Sequence, residues 1–362
     1  MITKIEISGY KSIKSLVMDL KPINILLGGN GAGKSNFVSV FSLIRNIYNK
    51  NLQNYIQKKG GADNFLYFGS KNTSNIDLGL TFEDEDHNCN KFRVNLESGV
   101  DSLFIKEIWT AYLAYSNWHS QKHEENVLES NFCNIHRGQA FWVNSRLREF
   151  NVYHFHDTSD TSPMKKRFDL HDNHFLRNDG SNLASFLYYL QEKEPKAFKR
   201  IEMTVGSIAP FFDRFVLRPS RLNEDMIRLE WVEKGFSDLP FSAYHLSDGT
   251  LRFICLATLL MQPNPPKTIV IDEPELGLHP VAINKIVSLI KKVSDKSQVI
   301  LSTQSTQFVD QFEPDDIIVT DRSDKGSLFR RLTEEELAGW LDDYTLGDLW
   351  GKNKFGAQPY KI

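Results

Sequence analysis

Cysteine is scarce in this chain, and its three cysteines stand far apart. Cys89, Cys133 and Cys255 form no C-x-x-C pair, so the sequence carries no signature of a structural zinc site. Such sparse cysteines are typical of proteins in a reducing compartment and not of disulfide-rich secreted domains. We therefore expect a cytoplasmic protein.

Long apolar runs are also missing. No run approaches the ~18 apolar residues that a membrane-spanning helix requires. Residues 1–6 (MITKIE) read as the start of a strand and do not resemble a signal peptide. These absences predict a protein without a membrane span.

A strong excess of charge of one sign is the third absence. The formal net charge is −3, which argues against a protein that coats nucleic acid by bulk charge alone. Contact with nucleic acid would therefore need a local basic face. The sequence offers only short runs of basic residues, and such short runs are more often solvated faces of helices. The candidate runs are Lys165-Lys166-Arg167, Lys196 with Lys199-Arg200, and Lys291-Lys292.

The most informative stretch is a glycine-rich loop, residues 28–35 (GGNGAGKS), between an apolar run at 23–27 and an amphipathic segment. This order of strand, loop and helix is the context that the G-x-x-x-x-G-K-[ST] phosphate loop requires. Glycines let successive backbone N–H groups face one anion, and the helix adds its positive N-terminal end. The alternative is a glycine-rich turn that binds nothing. We expect an ATP site formed by Asn30, Gly31, Ala32, Gly33, Lys34, Ser35 and Asn36.

Individual side chains have separate predicted roles in phosphoryl transfer. Lys34 reaches the β- and γ-phosphates, and the Ser35 hydroxyl ligates Mg²⁺. Farther along, the β-branched run 268–271 ends in Asp272 and Glu273. A buried parallel strand brings such carboxylates to the sheet edge at which ligands bind. We predict that Asp272 holds Mg²⁺ through water and that Glu273 polarises the attacking water.

The remaining pattern indicates an α/β protein. In residues 76–82 and 92–96, apolar residues occupy every second position, as in half-buried strands. This pattern predicts an antiparallel pair of strands joined by the acidic turn 83–86. That turn could bind a divalent cation, but it lacks the ligand spacing of a calcium loop, so a solvated turn is preferred. Aromatic residues suggest a helix at 109–115. Leucines and tryptophans at 333–350 suggest an amphipathic helix that packs on its own domain or docks a partner.

Two histidines mark a further candidate site. In a strand, His154 and His156 would face the same side, as a pair of metal ligands would, and Asp157 follows them. No third and fourth ligand is evident nearby. Hydrogen-bonded histidines close to the nucleotide or to a dimer partner are therefore the preferred interpretation.

Residues 246–250 (LSDGT) precede a nearly all-apolar segment and resemble the LSGGQ signature of ATP-binding-cassette ATPases. The resemblance implies a head-to-tail homodimer that holds two ATP molecules. Each ATP would lie between the phosphate loop of one subunit and Ser247, Asp248 and Gly249 of the other. The alternative is an ordinary serine N-cap.

Three positions depart from the cassette pattern. Gln304 stands where most cassette ATPases have a switch histidine; it can orient water or a phosphate oxygen but carries no charge. No convincing Q-loop glutamine follows the strands at 76–96, and Gln121 and Gln139 are distant candidates. His279 occupies the usual place of the D-loop aspartate. The departures at Gln304 and at the Q-loop leave the rate of turnover open.

Together, residues 10–12 (YKS), the phosphate loop, LSDGT, 271–280 (IDEPELGLHP) and 302–305 (STQS) resemble the RecF/SMC-like branch of these ATPases. More narrowly, the chain is similar to the bacterial AAA15/AAA21-type "predicted ATPase" family, in which YHFHDTSDTSPMK and WLDDYTLGDLW recur. Related members are ATPase components of Septu-, retron- and PARIS-type anti-phage systems. No nuclease motif follows Gln304, so the resemblance implies a separately encoded nuclease or toxin as effector.

We expect the α/β fold of ABC-type P-loop NTPases, with a mixed or parallel sheet core, an antiparallel β subdomain and a helical insertion. The expected divisions are an N-terminal lobe (1–96), an insertion (97–225), a C-terminal lobe (226–332) and a helical tail (333–362). The resemblance implies an ATP- and Mg²⁺-dependent switch in defence. A slow ATP-bound scaffold, a DNA repair or maintenance ATPase that contacts DNA, and a less favoured transporter subunit stay open.

Overall fold

The structure, a computed structural model, describes residues 1–84, 86–99, 102–236 and 239–356. The chain divides into two compact units. Unit 1 contains residues 1–152, 266–270 and 297–362, and unit 2 contains residues 153–265 and 271–296. Within the described ranges, no helix combines the length and apolar character that crossing a bilayer demands.

Strands and helices are distributed along the whole length of the chain. The strands and α-helices are β1 Ile2–Tyr10, β2 Ile13–Asp19, β3 Ile23–Leu27, α1 Lys34–Tyr48, α2 Leu52–Lys58, β4 Asn75–Glu83, β5 Cys89–Ser98, β6 Leu103–Ala114, β7 Asn117–Val127, α3 Gly138–Arg148, β8 Phe150–Tyr153, β9 Phe168–Asp169, α4 Leu183–Lys193, α5 Pro195–Ile208, β10 Phe212–Phe215, β11 Met226–Ile227, β12 Glu230–Glu233, β13 Phe241–Ser242, α6 Asp248–Met261, β14 Thr268–Asp272, α7 Pro280–Val293, β15 Gln298–Thr303, α8 Thr306–Val309, β16 Ile317–Ser323, β17 Gly326–Arg331 and α9 Leu346–Gly351. Short 3-10 turns occupy Ala62–Asn64, Phe132–Asn134, Pro163–Lys165, Ala243–His245, Pro314–Asp316 and Glu335–Leu337.

An antiparallel six-stranded sheet in unit 1 has the order β2-β1-β4-β5-β6-β7. Leu78 pairs with Val94 and Leu80 with Phe92, so the predicted antiparallel pair is confirmed. These four side chains are buried because alternate residues of each strand face the core. In the acidic turn, Glu85 lies outside the described residues.

A second, mixed sheet has the order β17-β16-β3-β15-β14-β8. Strand β3 runs parallel to β15 and to β16, whereas β17 is antiparallel to β16. Helix α1 follows β3, and the predicted apolar stripe of α1 is confirmed as buried core. That stripe consists of Phe37, Val40, Phe41, Ile44 and Ile47.

The predicted helix at 109–115 is wrong, because residues 109–114 belong to β6 and Tyr115 begins the turn after it. The pairing of β5 with β6 shifts by one residue, since Asn95 pairs with Glu107 but Leu96 pairs with Ile105. Of the residues that suggested the helix, Tyr112, Leu113 and Tyr115 are exposed, so their helical spacing marks no buried helix face.

The predicted amphipathic helix at 333–350 is also wrong as one element. The segment holds a 3-10 turn at Glu335–Leu337 and the short helix α9, whose N-cap is Thr345. Between them Gly339 has φ +80°, a left-handed backbone that ends a helix. Leu337 and Leu349 are nevertheless buried, as the apolar pattern requires.

Unit 2 contains the helices α4, α5, α6 and α7. Helix α4 begins at Leu183, α5 begins at Pro195, and α6 begins at Asp248 and contains the nearly all-apolar segment. Two small sheets complete the unit: β10-β12-β13, and the antiparallel pair β9 and β11. Helix α6 is buried from residue 251 to residue 260, which explains its nearly all-apolar sequence.

Candidate functional site

The phosphate loop of unit 1 connects the end of β3 to the start of α1. Gly31 has φ +78° and Gly33 has φ +119°, backbone conformations that L-residues with a side chain rarely adopt. A Cβ built on Gly33 would lie 2.1 Å from the Ser327 Oγ. A Cβ on Gly31 would meet no heavy atom within 4 Å, so that side of the loop is open to a ligand.

Lys34 is the most buried polar side chain of the loop, with 5% of its surface exposed. Its ammonium donates hydrogen bonds to the carbonyls of Gly28, at 2.6 Å, and Gly29, at 3.1 Å. The positive charge is thereby held under the loop, at the end where phosphate-binding N–H groups gather.

A chain of hydrogen bonds fixes the start of α1. The Asn36 Nδ2 donates to the Ser12 Oγ at 2.7 Å, and the hydroxyls of Ser12 and Ser327 are also 2.7 Å apart. Ser35 and Asn30 are exposed, and Ala32 is buried. Within unit 1 the structure therefore brings the whole predicted set, residues 30–36, into one loop.

Sequence reasoning missed two residues that shape this loop. Ser327 fills the space beside Gly33, and the Thr320 carbonyl would lie 2.3 Å from a Cβ on Gly28. Both residues follow the loop by almost 300 positions, so no local pattern could have revealed the contacts.

The strand-end motif at residues 10–12 packs on α1 through Ser39. The Tyr10 hydroxyl lies 2.8 Å from the Ser39 Oγ, and the Lys11 Nζ donates to the same oxygen at 3.0 Å. Burial, reinforced by the charge of Lys59, lowers the pKa of Lys11 to about 8. Lys11 is thus a partly buried cation beside the helix of the phosphate loop.

This lowered pKa predicts a dependence of stability on pH. The pKa of a lysine in the unfolded chain is about 10.4, so between pH 8 and 10 the unfolded state binds more protons than the folded state. The free energy of unfolding therefore rises with pH across this window. We expect chemical denaturation at pH 7.5 and at about pH 9.5 to show a larger rise for the natural protein than for Lys11→Met. The exposed Lys14→Met is the control, and an unchanged rise in Lys11→Met would contradict the assignment.

In unit 2, Asp272 is the last residue of β14 and Glu273 follows it. Both residues are half-buried. Glu273 has φ +45°, in the left-handed region that a residue with a Cβ enters at a cost of ~1 kcal/mol. Strained backbone of this kind is common at functional positions, where neighbouring structure enforces it.

The LSDGT segment forms the N-terminal end of α6. The Ser247 Oγ accepts a hydrogen bond from the Thr250 N–H at 3.2 Å, so Ser247 is an N-cap. A Cβ on Gly249 would lie 2.4 Å from the carbonyl oxygen of Gly277, in the loop after β14. Ser247 and Asp248 remain exposed. The structure thus joins this segment to the loop that follows Glu273.

Arg252 is a functional candidate that sequence reasoning missed. Its guanidinium donates to the carbonyls of Phe155, at 2.9 Å, and His156, at 3.1 Å, and to the carbonyl of Leu276. Burial lowers the pKa of Arg252. A single arginine in an apolar helix was a usable signal, because a buried charge requires partners.

The histidine segment, residues 154–157, and the residues that follow it also pack on α6. The Lys165 ammonium, almost fully buried, lies 3.7 Å from the Asp248 carboxylate, and Met164 contacts Cys255. Strand β8 ends at Tyr153, so His154 and His156 do not form a pair on one strand; their ring centres are 6.3 Å apart.

Within residues 1–84, 86–99, 102–236 and 239–356, no group of three or more histidine, cysteine, aspartate or glutamate residues is placed to hold a metal ion. What the structure shows for the histidine segment is contact with α6, through the Phe155 and His156 carbonyls and Arg252.

The remaining candidates lie at element ends or edges. Gln304 follows β15 directly and is half-buried. Gln121 is exposed on the edge strand β7, and Gln139 lies in α3. The His279 Nδ1 accepts a hydrogen bond from the Val281 N–H at 3.3 Å, so this histidine caps α7 as an aspartate could.

Comparison with known proteins finds a family model that matches most of the chain. Residues 23–310 match the family AAA_21, described as "AAA domain, putative AbiEii toxin, Type IV TA system". UvrABC system protein A of Rickettsia bellii is 33% identical over 100 residues, which are 27% of this chain and 10% of that protein. The energy-coupling factor transporter ATP-binding protein EcfA2 of Staphylococcus epidermidis is 27% identical over 112 residues, 28% of this chain and 38% of that protein. The matched segments thus span only a minor part of these relatives.

Two solved structures share the fold over most of the chain. An SmcHead bound to the C-winged helix domain of ScpA has a TM-score of 0.61 and 17% identity, and the match covers 92% of this chain and 98% of that one. The Smc head domain of Pyrococcus furiosus, bound to the C-terminal domain of ScpA, has a TM-score of 0.59 and 15% identity, with 94% and 98% covered. At these identities the likeness concerns the fold.

Proposed function

The chain belongs to this AAA domain family, and from that premise we propose that it binds and hydrolyses ATP as a dimeric switch. Its fold, an α/β arrangement with a mixed sheet, is that of the SMC head P-loop ATPases. The resemblance of its motifs to anti-phage ATPases supports a role as the ATPase component of a defence complex with a separate nuclease or toxin.

The phosphate loop is the observation that carries the proposal. Gly31 and Gly33 adopt a left-handed backbone, and Lys34 places its charge under the loop. The 15-residue helix α1 points its N-terminal end at the same loop. These features together favour a bound triphosphate, since backbone N–H groups, a cation and a helix end converge. When ATP binds, the Lys34 ammonium would leave the Gly28 and Gly29 carbonyls and donate to phosphate oxygens instead.

Two side chains, each in its own unit, have the chemistry of Mg²⁺ ligands. The exposed Ser35 hydroxyl at the start of α1 and the Asp272 carboxylate at the end of β14 are hard oxygen ligands of the kind that Mg²⁺ prefers. When bound, the ion would neutralise charge on the β- and γ-phosphates. Glu273 would accept a proton from the attacking water, and Gln304 would orient that water through its amide.

Dimerisation would complete each site with the LSDGT segment of a second copy. Ser247 and Asp248 are exposed at the N-terminal end of the 14-residue helix α6, where N–H groups and the helix dipole favour an anion. Gly249 packs closely against the Gly277 carbonyl at that end of the helix. Movement of the loop after Glu273 would therefore be transmitted to α6. This link supports a switch driven by the nucleotide.

A second candidate is a scaffold that binds ATP but turns it over slowly and holds an effector until triggered. Gln304 favours it, because a neutral amide stabilises developing charge less than a protonated histidine does. A third candidate is a DNA repair or maintenance ATPase, which would work without an effector.

Hydrolysis and binding, measured side by side, test these alternatives. We expect ATP to bind with micromolar affinity and native complexes from cells, weighed by light scattering and mass spectrometry, to contain two copies and an effector. Tight binding with negligible hydrolysis would favour the scaffold. A homodimer without other proteins, activated by DNA, would favour the DNA-maintenance candidate, and absence of ATP binding would overturn all three.

A further inference from the structure

Four arginines gather around one surface cavity in unit 2, and none of them belongs to the phosphate loop or to LSDGT. The cavity has a volume of about 170 Å³ and is lined by Arg167, Arg218, Arg221, Arg228 and Glu230, together with Ser220. All four arginines are exposed, whereas Glu230 is 8% exposed. We name this feature the arginine pocket.

The backbone itself holds the arginines close together. Ile227 of β11 pairs with Phe168 of β9, and Arg228 and Arg167 are the chain neighbours of this pair. Like charges held this close repel each other. The loop before β11 is ordered by hydrogen bonds, since the Ser220 N–H donates to the Met226 carbonyl at 2.8 Å.

One buried carboxylate compensates only part of this charge. The Arg228 Nε donates to the Glu230 Oε1 at 2.8 Å, and the Arg218 Nε lies 3.8 Å from the Glu230 Oε2. Across the described ranges, Arg167 and Arg221 have no acidic side chain within ion-pair distance. Four guanidinium groups therefore face the pocket with one carboxylate, and they leave an excess of three positive charges.

The size of the pocket and its chemistry select the ligand. Pockets for drug-sized molecules usually measure ~300–1,000 Å³, so about 170 Å³ admits a phosphate group but not a whole nucleoside. The planar fork of arginine matches two oxygens of a phosphate, which lysine cannot do. Glu230 would keep two of the arginines in place for this contact.

We propose that the arginine pocket binds a phosphate group of a nucleic-acid backbone. The exposed position suits a strand that passes over the surface and presents its phosphates, and recognition of phosphate needs no base contact. Arg167, from the basic run 165–167, is one of the two arginines here that have no acidic partner among the described residues. This site is independent of ATP hydrolysis.

Fluorescence anisotropy with labelled DNA, single-stranded and duplex, tests the proposal. Arg167→Ala and Arg221→Ala are the informative variants, because neither leaves a buried carboxylate unpaired. We expect each to weaken binding about tenfold and to lower the slope of log affinity against log salt by about one. Arg221→Lys should keep the salt slope but lose part of the affinity, since the charge stays and the fork is lost.

The matched control is Arg214→Ala, which removes the same charge from an exposed position of β10 in the same unit. A second arm uses inorganic pyrophosphate with Lys34→Ala added to every protein, so that the phosphate loop does not contribute. Loss of pyrophosphate binding in the pocket variants, without any DNA binding, would keep a phosphate site but overturn the nucleic-acid occupant. Equal binding by the pocket variants and the control in both arms, or no binding of either probe, would overturn the whole proposal.

Discussion

Replacing Lys34 with alanine should weaken ATP binding at least ~100-fold, as measured by titration calorimetry or by a fluorescent ATP analogue. Hydrogen bonds from a charged donor contribute about 1.5–3 kcal/mol each, and the ammonium would make more than one to phosphate oxygens. A factor of ten corresponds to about 1.4 kcal/mol, so two such bonds account for this loss.

The fold should survive this substitution, although at lower stability. The Gly28 and Gly29 carbonyls are buried and would lose the donor that Lys34 provides, at a cost of about 1–3 kcal/mol. Lys58→Ala, in exposed α2 of the same unit, controls for the loss of one lysine. Full affinity in a folded Lys34→Ala protein would disprove the phosphate-loop assignment.

Glu273→Gln should slow hydrolysis by about 10²–10⁴-fold while ATP still binds, because the water loses its base and the side chain keeps its shape. ATP would then persist, and the protein should accumulate as a dimer at saturating ATP and Mg²⁺. Single-turnover hydrolysis, with mass determination by light scattering, measures both effects.

Glu192→Gln is the matched control, since it makes the same chemical change at an exposed position of α4 in the same unit. It should hydrolyse ATP at the natural rate and show no additional dimer. If Glu273→Gln turned over ATP normally, another group would have to be the base. If it stayed monomeric at saturating ATP, the proposed sandwich of two nucleotides would fail.

Much of the fold could be predicted because its patterns are local. The stripe of α1 and the alternation of β4 and β5 each lie within one continuous segment, and both are confirmed. The error at 109–115 arose because aromatic residues at helical spacing lie at an exposed strand end, where Tyr112, Leu113 and Tyr115 face solvent. The same strand carries a bulge at Lys106, which shifts its pairing with β5. Nothing in β6 alone reveals that shift, because the partner strand β5 defines it.

The candidate site divides in the same way. Residues 30–36 are contiguous, so the sequence could predict their arrangement in one loop. The packing of Ser327 against Gly33 and of Gly277 against Gly249 depends on tertiary structure and could not be predicted. Arg167 and the loop 218–228 line the same cavity, and only the folded chain reveals that they lie together.

The left-handed backbone at Glu273 also has an evolutionary consequence. Glycine at this position would remove a strain of ~1 kcal/mol and would make the chain more stable while abolishing the carboxylate. Selection for folding alone therefore opposes glutamate here, and only a demand for its chemistry can maintain it. In a lineage freed from that demand, drift at residue 273 would remove the proposed base for ATP hydrolysis and leave a more stable protein.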